Sequence, residues 1–297
     1  MVKFLEKVKT FLLAISVVIC VVFVTIFVIG NRKSKSLSDE LTVIHGSASY
    51  SVPSDLTQSE GNSLLSRTVL PEMQPLMDRN ADTVGWVSID GLDLDYVVVQ
   101  GEDNEEYLTK DFNGDYAEAG TIFADQYCVL NPQIQCNNIT LYGHNQMNGS
   151  MFGYLTKYKK DPMFVKEAPI IRFNTNYESF EFKIFAFYII NTEEEHDDEP
   201  LYRYHTYTSF NPSTPYDTFI NQTLKRSLIT SDIDVSPDDL FITLSTCAVD
   251  FDNARFVVVG RAVRNDIDRE TDVNYELNED PYLPRIYYDL GCSNFQY

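Results

Sequence analysis

Basic residues are scarce in this sequence. Lysine and arginine together number 23, against 44 aspartate and glutamate residues, and the formal net charge is -21. A protein that binds nucleic acid needs a positively charged surface, so this composition excludes nucleic acid as a partner. The chain also has no internal repeat and no glycine-rich phosphate-binding loop, and we expect no cofactor.

Cysteine pairs of the CxxC type are absent, which argues against a zinc site, and we expect no bound metal. The five cysteines are Cys20, Cys128, Cys136, Cys247 and Cys292. Cys20 lies in an apolar run and Cys292 in the C-terminal tail. Cys128 and Cys136 flank one loop, and they either form a disulfide outside the cell or remain free thiols. Cys247 is left as the thiol with a structured setting.

Charged residues are missing from residues 11–29, an apolar run long enough to cross a bilayer as a helix. The run is longer than the core of a cleavable signal peptide, which favours an uncleaved anchor. Lysines precede it and basic residues follow it, so the charges leave its orientation open. We expect a short N-terminus over 1–10, the anchor over 11–29, and a serine-rich stalk over 30–70. The stalk lacks sustained periodicity, so we expect at most one short helix there.

Short β-type runs separated by turn residues fill most of the remaining chain. The predicted strands cover residues 86–89, 94–99, 121–124, 139–142, 170–173, 180–191, 240–246 and 256–263. Helical spacing of apolar residues predicts helices near 72–80, 150–158 and 214–229. The last of these lies between strands six and seven. Eight strands with few helices predict a mainly β fold, closed into a barrel, over residues 71–264.

Carboxylates are concentrated in residues 193–199, between the sixth strand and the helix that follows it. We interpret this run as a solvated loop, since blocks of like charge seldom fold. His196 within it makes a metal site the alternative, although the spacing matches no ligand template. The extension over 265–297 is acidic and rich in tyrosine. The sequence leaves open whether it packs on the barrel or stays mobile.

Three residues at strand ends have the chemistry of an acyl-transfer site. Cys247 ends one apolar strand, Arg255 begins the next, and His144 follows the fourth strand in a turn-like segment. A cysteine attacks as the thiolate, and an imidazole can take its proton and later give one to a leaving amine. A guanidinium stays charged and can stabilise the oxyanion that forms.

The motifs around these residues resemble those of the sortase family. Thr243-Leu244-Ser245-Thr246-Cys247 with Arg255 is similar to the sortase signature TLxTC followed by arginine. Residues 141–145 with 149–152 resemble the histidine segment of class B sortases. Other segments that match this class are 85–87, 96–100, 103–104, 107–108 and 120–125. The similarity extends over about residues 72–263.

This resemblance implies an eight-stranded sortase barrel with N-terminal helices and a helix between strands six and seven. It implies a cysteine transpeptidase that cleaves a C-terminal sorting signal, holds the protein as a thioester and transfers it to an amine. Cys247 would be the nucleophile, His144 the acid and base, and Arg255 the group that stabilises substrate and oxyanion. Tyr142 and Ser245 would line the substrate groove.

The resemblance also implies partners and location. The substrates would be secreted surface proteins of a Gram-positive cell, and the chain would be a single-pass membrane protein with its catalytic domain outside. As amine acceptor we favour a peptidoglycan cross-bridge, with a pilin lysine as the alternative. The acidic run and the long tail exceed the simplest class B pattern and bear on which signal or amine is accepted.

Other classes fit the residues less well. A papain-like peptidase would place its cysteine before its histidine, whereas His144 precedes Cys247 here. An L,D-transpeptidase would carry its arginine two residues after the cysteine, whereas Arg255 follows Cys247 by eight. A non-catalytic surface adhesion protein explains the anchor, the stalk and the acidity, but not these three residues together.

Overall fold

Eight strands close into a barrel in the computed structural model, which describes residues 2–49, 68–130, 134, 136–146 and 148–291. The strands, numbered in chain order, are β1 Thr83–Ile89, β2 Leu94–Val99, β3 Ile122–Ala124, β4 Asn138–Tyr142, β5 Ile170–Thr175, β6 Ser179–Ile190, β7 Ile229–Ser231, β8 Phe241–Cys247, β9 Arg255–Ala262 and β10 Tyr275–Leu277. The barrel order is β1-β2-β3-β4-β8-β9-β6-β5, and β7 pairs with β10 outside it. The predicted eight-stranded barrel is confirmed.

Six α-helices accompany the barrel in the described residues. They are α1 Val2–Ser49, α2 Gln74–Arg79, α3 Thr156–Lys160, α4 Tyr216–Arg226, α5 Asp266–Glu270 and α6 Arg285–Asp289. Helix α4 lies between the sixth and seventh barrel strands, as predicted. The helix predicted over 150–158 is instead a 3₁₀ turn, Phe152–Leu155, that runs into the short α3.

Strands β6, β8 and β9 are buried on both faces, which explains their continuous apolar sequence. Successive side chains of a strand point to opposite faces. Thus Phe187 of β6 packs inside the barrel, whereas its neighbour Tyr188 packs in a second cluster outside. Helix α4 covers that outer face with Phe219 and Ile220.

Helix α1 is continuous over 48 residues, and this differs from the irregular stalk predicted over 30–70. Its apolar stretch is exposed and is long and apolar enough to cross a membrane. Its second half lies against the barrel, because Leu37, Leu41 and Ile44 form a stripe at helical spacing that packs with Trp86. His45 stacks on the Trp86 ring at a centroid distance of 4.2 Å. The remainder of the predicted stalk, residues 50–67, lies outside the described residues.

The C-terminal extension packs on the barrel as far as Tyr287, which answers the question that the sequence left open. Strand β10 pairs with β7 in antiparallel register. Asp268 of α5 forms ion pairs with Arg261 and Lys183, whose side chains are only 3% and 4% exposed. The extension therefore places one carboxylate against two cations buried in the barrel wall. Residues 292–297, including Cys292, lie outside the described residues.

The acidic run connects the extension to the loop between β8 and β9. Asn253 of that loop donates from Nδ2 to Glu193, and Thr192 donates to the Asn253 carbonyl at 2.8 Å. On its other side, the run receives Tyr282, whose hydroxyl donates to Asp197 at 2.7 Å. The run is a loop, as predicted, but it is held between two other segments.

Two further findings concern the alternative metal site in the acidic run and the open question of a Cys128–Cys136 disulfide. Glu193, Glu195 and His196 each place a ligand atom within 4.8 Å of the others, so this group could hold a cation. His196 Nε2 also lies 3.4 Å from a Glu193 carboxylate oxygen. Cys128 and Cys136 are buried free thiols. The adjacent Cys136 thiol, together with burial, raises the pKa of Cys128.

Candidate active site

Strands β4 and β8 bring His144 and Cys247 to the same end of the barrel. The two strands are parallel neighbours, with Tyr142 paired to Ser245. The pairing continues beyond β4, because the Gly143 N–H donates to the Ser245 carbonyl at 3.2 Å. Since parallel strands end at the same edge, His144 and Cys247 each lie two residues past this matched pair.

Arg255 lies directly across from Cys247. The antiparallel β8–β9 ladder pairs Cys247 with Arg255 in register. Cys247 is exposed and Arg255 is half-buried. One Arg255 Nη1 hydrogen donates to the Ala254 carbonyl at 3.0 Å, and a guanidinium has five N–H donors. Donors therefore remain for a ligand beside the thiol.

The hydrogen bond of His144 identifies the nitrogen that can exchange a proton. Its Nε2 lies 2.8 Å from the Leu108 carbonyl oxygen. A carbonyl oxygen only accepts, so Nε2 carries the hydrogen and donates it. In the neutral ring, Nδ1 is then the nitrogen with a lone pair. The Leu108 carbonyl thus sets both the tautomer and the orientation of the ring.

The loop that carries His144 is tied to β8, the strand that ends at Cys247. Asn145 donates from Nδ2 to the Cys247 carbonyl at 2.8 Å, and Thr246 donates from Oγ1 to the Gly143 carbonyl at 2.7 Å. Asn145 also forms an isolated bridge with Met151, whose φ of 55° is in the left-handed region. A non-glycine residue in this region is strained. The hydrogen bonds of Gly143 and Asn145 therefore hold the chain on both sides of His144 against β8.

The predicted groove residues Tyr142 and Ser245 lie at the same end but differ in access. The half-buried Tyr142 donates from its hydroxyl to Asp125 at 2.7 Å. Burial, and then the Asp125 carboxylate, raise the pKa of the Tyr142 phenol. Ser245 is 2% exposed, and its hydroxyl hydrogen-bonds to the Tyr204 hydroxyl at 2.6 Å. Ser245 therefore lies beneath Tyr204.

Sequence reasoning missed Tyr204, Asn145 and the Leu108 carbonyl. Burial raises the pKa of the Tyr204 phenol, which lies near Arg255 and Cys247. Tyr204 comes from the segment between β6 and α4. It is 41 residues from Ser245 in the sequence, so local sequence patterns do not reveal the contact between them. Asn145 directly follows the candidate histidine His144, which was a usable signal. A backbone carbonyl such as that of Leu108 gives no signal in a sequence.

The barrel and this strand-end arrangement of cysteine, histidine and arginine define a class of cysteine acyltransferase. The sortase domain model matches residues 87–263 of the chain. The chain therefore belongs to the sortase family.

The curated relatives are class B sortases. Sortase B of Listeria monocytogenes is 31% identical over 235 residues, covering 78% of this chain and 86% of the relative. Sortase B of Staphylococcus aureus is 32% identical over 199 residues, covering 66% and 76%. This chain is accordingly a class B sortase, and sortases are cysteine transpeptidases.

Solved structures agree with this assignment. A Staphylococcus aureus sortase B–substrate complex superposes with a TM-score of 0.64 at 26% identity, covering 79% of this chain and 98% of the other. Clostridium perfringens sortase B superposes with a TM-score of 0.56 at 31% identity, covering 64% and 98%. The likeness extends beyond the matched domain, because these coverages exceed the span of residues 87–263.

Proposed function

We propose that this sortase cleaves the C-terminal sorting signal of secreted surface proteins and transfers them to an amine of a peptidoglycan cross-bridge. The observation that carries the proposal is that Cys247 and Arg255 lie directly opposite each other on β8 and β9, with His144 at the same end of the barrel. A substrate complex of Staphylococcus aureus sortase B superposes on this chain, which supports a peptide substrate.

In the first step Cys247 becomes acylated. His144 Nδ1 takes the thiol proton, and Sγ attacks the scissile carbonyl of the signal. The carbonyl oxygen becomes an oxyanion, which the Arg255 guanidinium stabilises. Collapse of this intermediate breaks the C–N bond, and His144 gives the proton to the leaving amine. The product is a thioester between the surface protein and Cys247.

In the second step the amine acceptor resolves the thioester. Its nitrogen attacks the thioester carbonyl while His144 takes one of its protons. The C–S bond then breaks, and His144 returns the proton to the sulfur of Cys247. Both steps are acyl transfers without a change of oxidation state, so the proposal includes no cofactor and no metal.

We place the N-terminus of α1 inside the cell and the barrel outside. The exposed apolar stretch of α1 supports a single span, and the substrates are secreted proteins. The acceptor could instead be a pilin lysine, and the amine found in the product distinguishes the two. Mass spectrometry of the linkage formed with each amine, offered at equal concentration, decides between cell-wall anchoring and pilus assembly.

The test of the catalytic assignment is a pair of variants with a sorting-signal peptide. Cys247→Ala removes the nucleophile, and we expect neither a thioester adduct by mass spectrometry nor cleavage of the peptide. Arg255→Lys keeps the charge but loses the planar fork of donors, so we expect the thioester to form on the order of a hundredfold more slowly. Circular dichroism of both variants checks the fold. Peptide cleavage by Cys247→Ala at the wild-type rate would refute the assignment.

A further inference from the structure

The C-terminal extension holds one side of the acidic run. The Tyr282 hydroxyl donates to Asp197 Oδ1 at 2.7 Å. Arg285 Nε lies 2.9 Å from Asp198 Oδ1 as an ion pair, and its Nη2 donates to the Glu195 carbonyl at 2.9 Å. Tyr282 and Arg285 both lie beyond the part of the chain that the sortase domain model matches. The position of the acidic run therefore depends on a segment outside that domain.

The other side of the acidic run contacts the β8–β9 loop close to Arg255. Asn253 of that loop donates from Nδ2 to Glu193 Oε1. The Asn253 carbonyl accepts from Thr192 Oγ1, one residue before the run, at 2.8 Å. These contacts continue the β6–β9 ladder, in which Ile190 lies opposite Arg255. The acidic run thus meets the chain two residues before Arg255.

The backbone at Asn253 leads into the carbonyl that holds the Arg255 guanidinium. Asn253 has a φ of 60°, in the left-handed region that asparagine and aspartate enter more readily than most other residues. The next carbonyl, that of Ala254, accepts from the Ala248 N–H at 2.9 Å and from Arg255 Nη1 at 3.0 Å. A change in the backbone at Asn253 would shift this carbonyl and the guanidinium with it. The contacts that hold Asn253 therefore also hold Arg255 opposite Cys247.

We propose that the acidic run connects the C-terminal extension to the active site and positions the Arg255 guanidinium for oxyanion stabilisation. Asn253, Glu193 and Tyr282 are then positioning residues, which act through Arg255 and not by touching the substrate. The inference rests on the proposed role of Arg255 and adds to it the segment that sets the geometry of this group. Because the oxyanion is absent from the bound substrate, a displaced guanidinium should lower kcat and leave KM unchanged.

The first test reverses the hydrogen bond between Asn253 and Glu193. Asn253→Asp keeps the shape of the side chain but places a second carboxylate against Glu193. In the full chain in detergent micelles, we expect kcat for cleavage of a sorting-signal peptide to fall about tenfold at unchanged KM. Adding Glu193→Gln supplies an N–H donor for the new carboxylate, and we expect kcat to return to within about twofold of wild type. Asn253 is exposed and Glu193 half-buried, so the Tm should stay near wild type in both variants.

The second test breaks the contacts at the far side of the acidic run. Tyr282→Phe combined with Arg285→Met removes the hydrogen bonds and the ion pair that the extension makes with the run, and we expect kcat to fall about threefold. The matched control is Tyr275→Phe combined with Arg269→Met. It makes the same two changes in the same extension, but these side chains bond to β6 and not to the run. We expect the control to keep the wild-type kcat.

A double-mutant cycle joins the two tests. If the extension acts through Asn253, the changes at Tyr282 and Arg285 should have no further effect on kcat once Asn253→Asp has broken the contact with the run. Changes at independent and distant sites would instead multiply their effects on kcat.

Four outcomes would overturn this proposal. They are a wild-type kcat in Asn253→Asp, no recovery on adding Glu193→Gln, equal falls in kcat in the second test and its control, and multiplied effects in the cycle. Failure of the proposed function is a different result, namely peptide cleavage by Cys247→Ala or undiminished thioester formation by Arg255→Lys.

Discussion

Replacing Asp268 by asparagine removes the one negative charge that pairs with two buried cations. The Asp268 carboxylate accepts from Arg261 Nη2 at 3.0 Å and lies 3.5 Å from Lys183 Nζ. It also accepts the Arg264 backbone N–H at 2.8 Å. Asparagine keeps the shape of the side chain, so Asp268→Asn tests the charge rather than the packing.

The structure sets the magnitude of this effect. Removing one partner from a buried ion pair costs about 3–5 kcal/mol, because the remaining charge stays buried without compensation. Asp268 is itself 17% exposed, so water screens it in part and we expect the lower end, about 3 kcal/mol. For a domain of this size each kcal/mol lowers the Tm by about 2–4 °C, which gives a fall of roughly 6–12 °C.

The pH dependence of the Tm difference between wild type and Asp268→Asn provides a second test of this prediction. The Arg261 hydrogen bond holds the pKa of Asp268 well below its ordinary value. A carboxyl with a depressed pKa in the folded state stabilises the fold above its unfolded pKa of about 3.9, and this stabilisation is lost as the pH falls through the folded pKa. The Tm difference between wild type and Asp268→Asn should therefore be constant from pH 7 to about pH 4 and should narrow below that.

The assay is thermal unfolding of the full chain in detergent, followed by near-ultraviolet circular dichroism. Asp266→Asn is the matched control, because Asp266 lies in the same helix and its side chain is 89% exposed beside Arg269. An exposed pair contributes about 0–1 kcal/mol, so the control should lower the Tm by no more than about 3 °C. Equal Tm values for the two variants would refute the assigned role of Asp268.

Three further substitutions test the site and the barrel. Tyr204→Phe removes the hydrogen bond to Ser245 and should lower stability by about 1 kcal/mol; an unchanged urea midpoint would contradict this. Asn145→Ala removes the hydrogen bond to the Cys247 carbonyl and should lower kcat on the order of tenfold. The measurement is steady-state peptide cleavage, with wild-type kcat as the opposing result. Gly85→Ala places a Cβ 2.5 Å from the Asn174 carbonyl oxygen. This should destabilise the β1–β5 pair by about 2 kcal/mol in thermal unfolding, and a wild-type Tm would argue against it.

Local sequence patterns predicted the barrel because its buried strands have continuous or alternating apolar residues. The runs that predicted β6, β8 and β9 overlap the observed strands closely, since burial on both faces leaves little room for polar residues. Strands β7 and β10 are three residues each. Their pairing joins segments about 45 residues apart in the sequence. A strand of three residues is too short to carry a pattern that identifies its partner strand.

The residues of the candidate site divide in the same way, into those that local sequence patterns reveal and those that depend on contacts between distant segments. Cys247, His144 and Arg255 could be singled out because each has distinctive chemistry and follows or begins a predicted strand. Tyr204 could not, since its contact with Ser245 depends on how the segment between β6 and α4 folds back over β8. The second half of α1 was predicted as an irregular stalk because Leu37, Leu41 and Ile44 are separated by serine and charged residues. Their helical role depends on packing against Trp86.

The unbroken length of α1 has a consequence for the distance between the barrel and the membrane. A continuous helix rises by about 1.5 Å per residue. Because α1 is one helix from the proposed membrane span to Leu37, the residue count between them fixes the height of the barrel above the bilayer. Four inserted residues would raise the barrel by about 6 Å. The length of this helix therefore sets how far from the membrane surface the barrel end that carries Cys247 can meet its substrates.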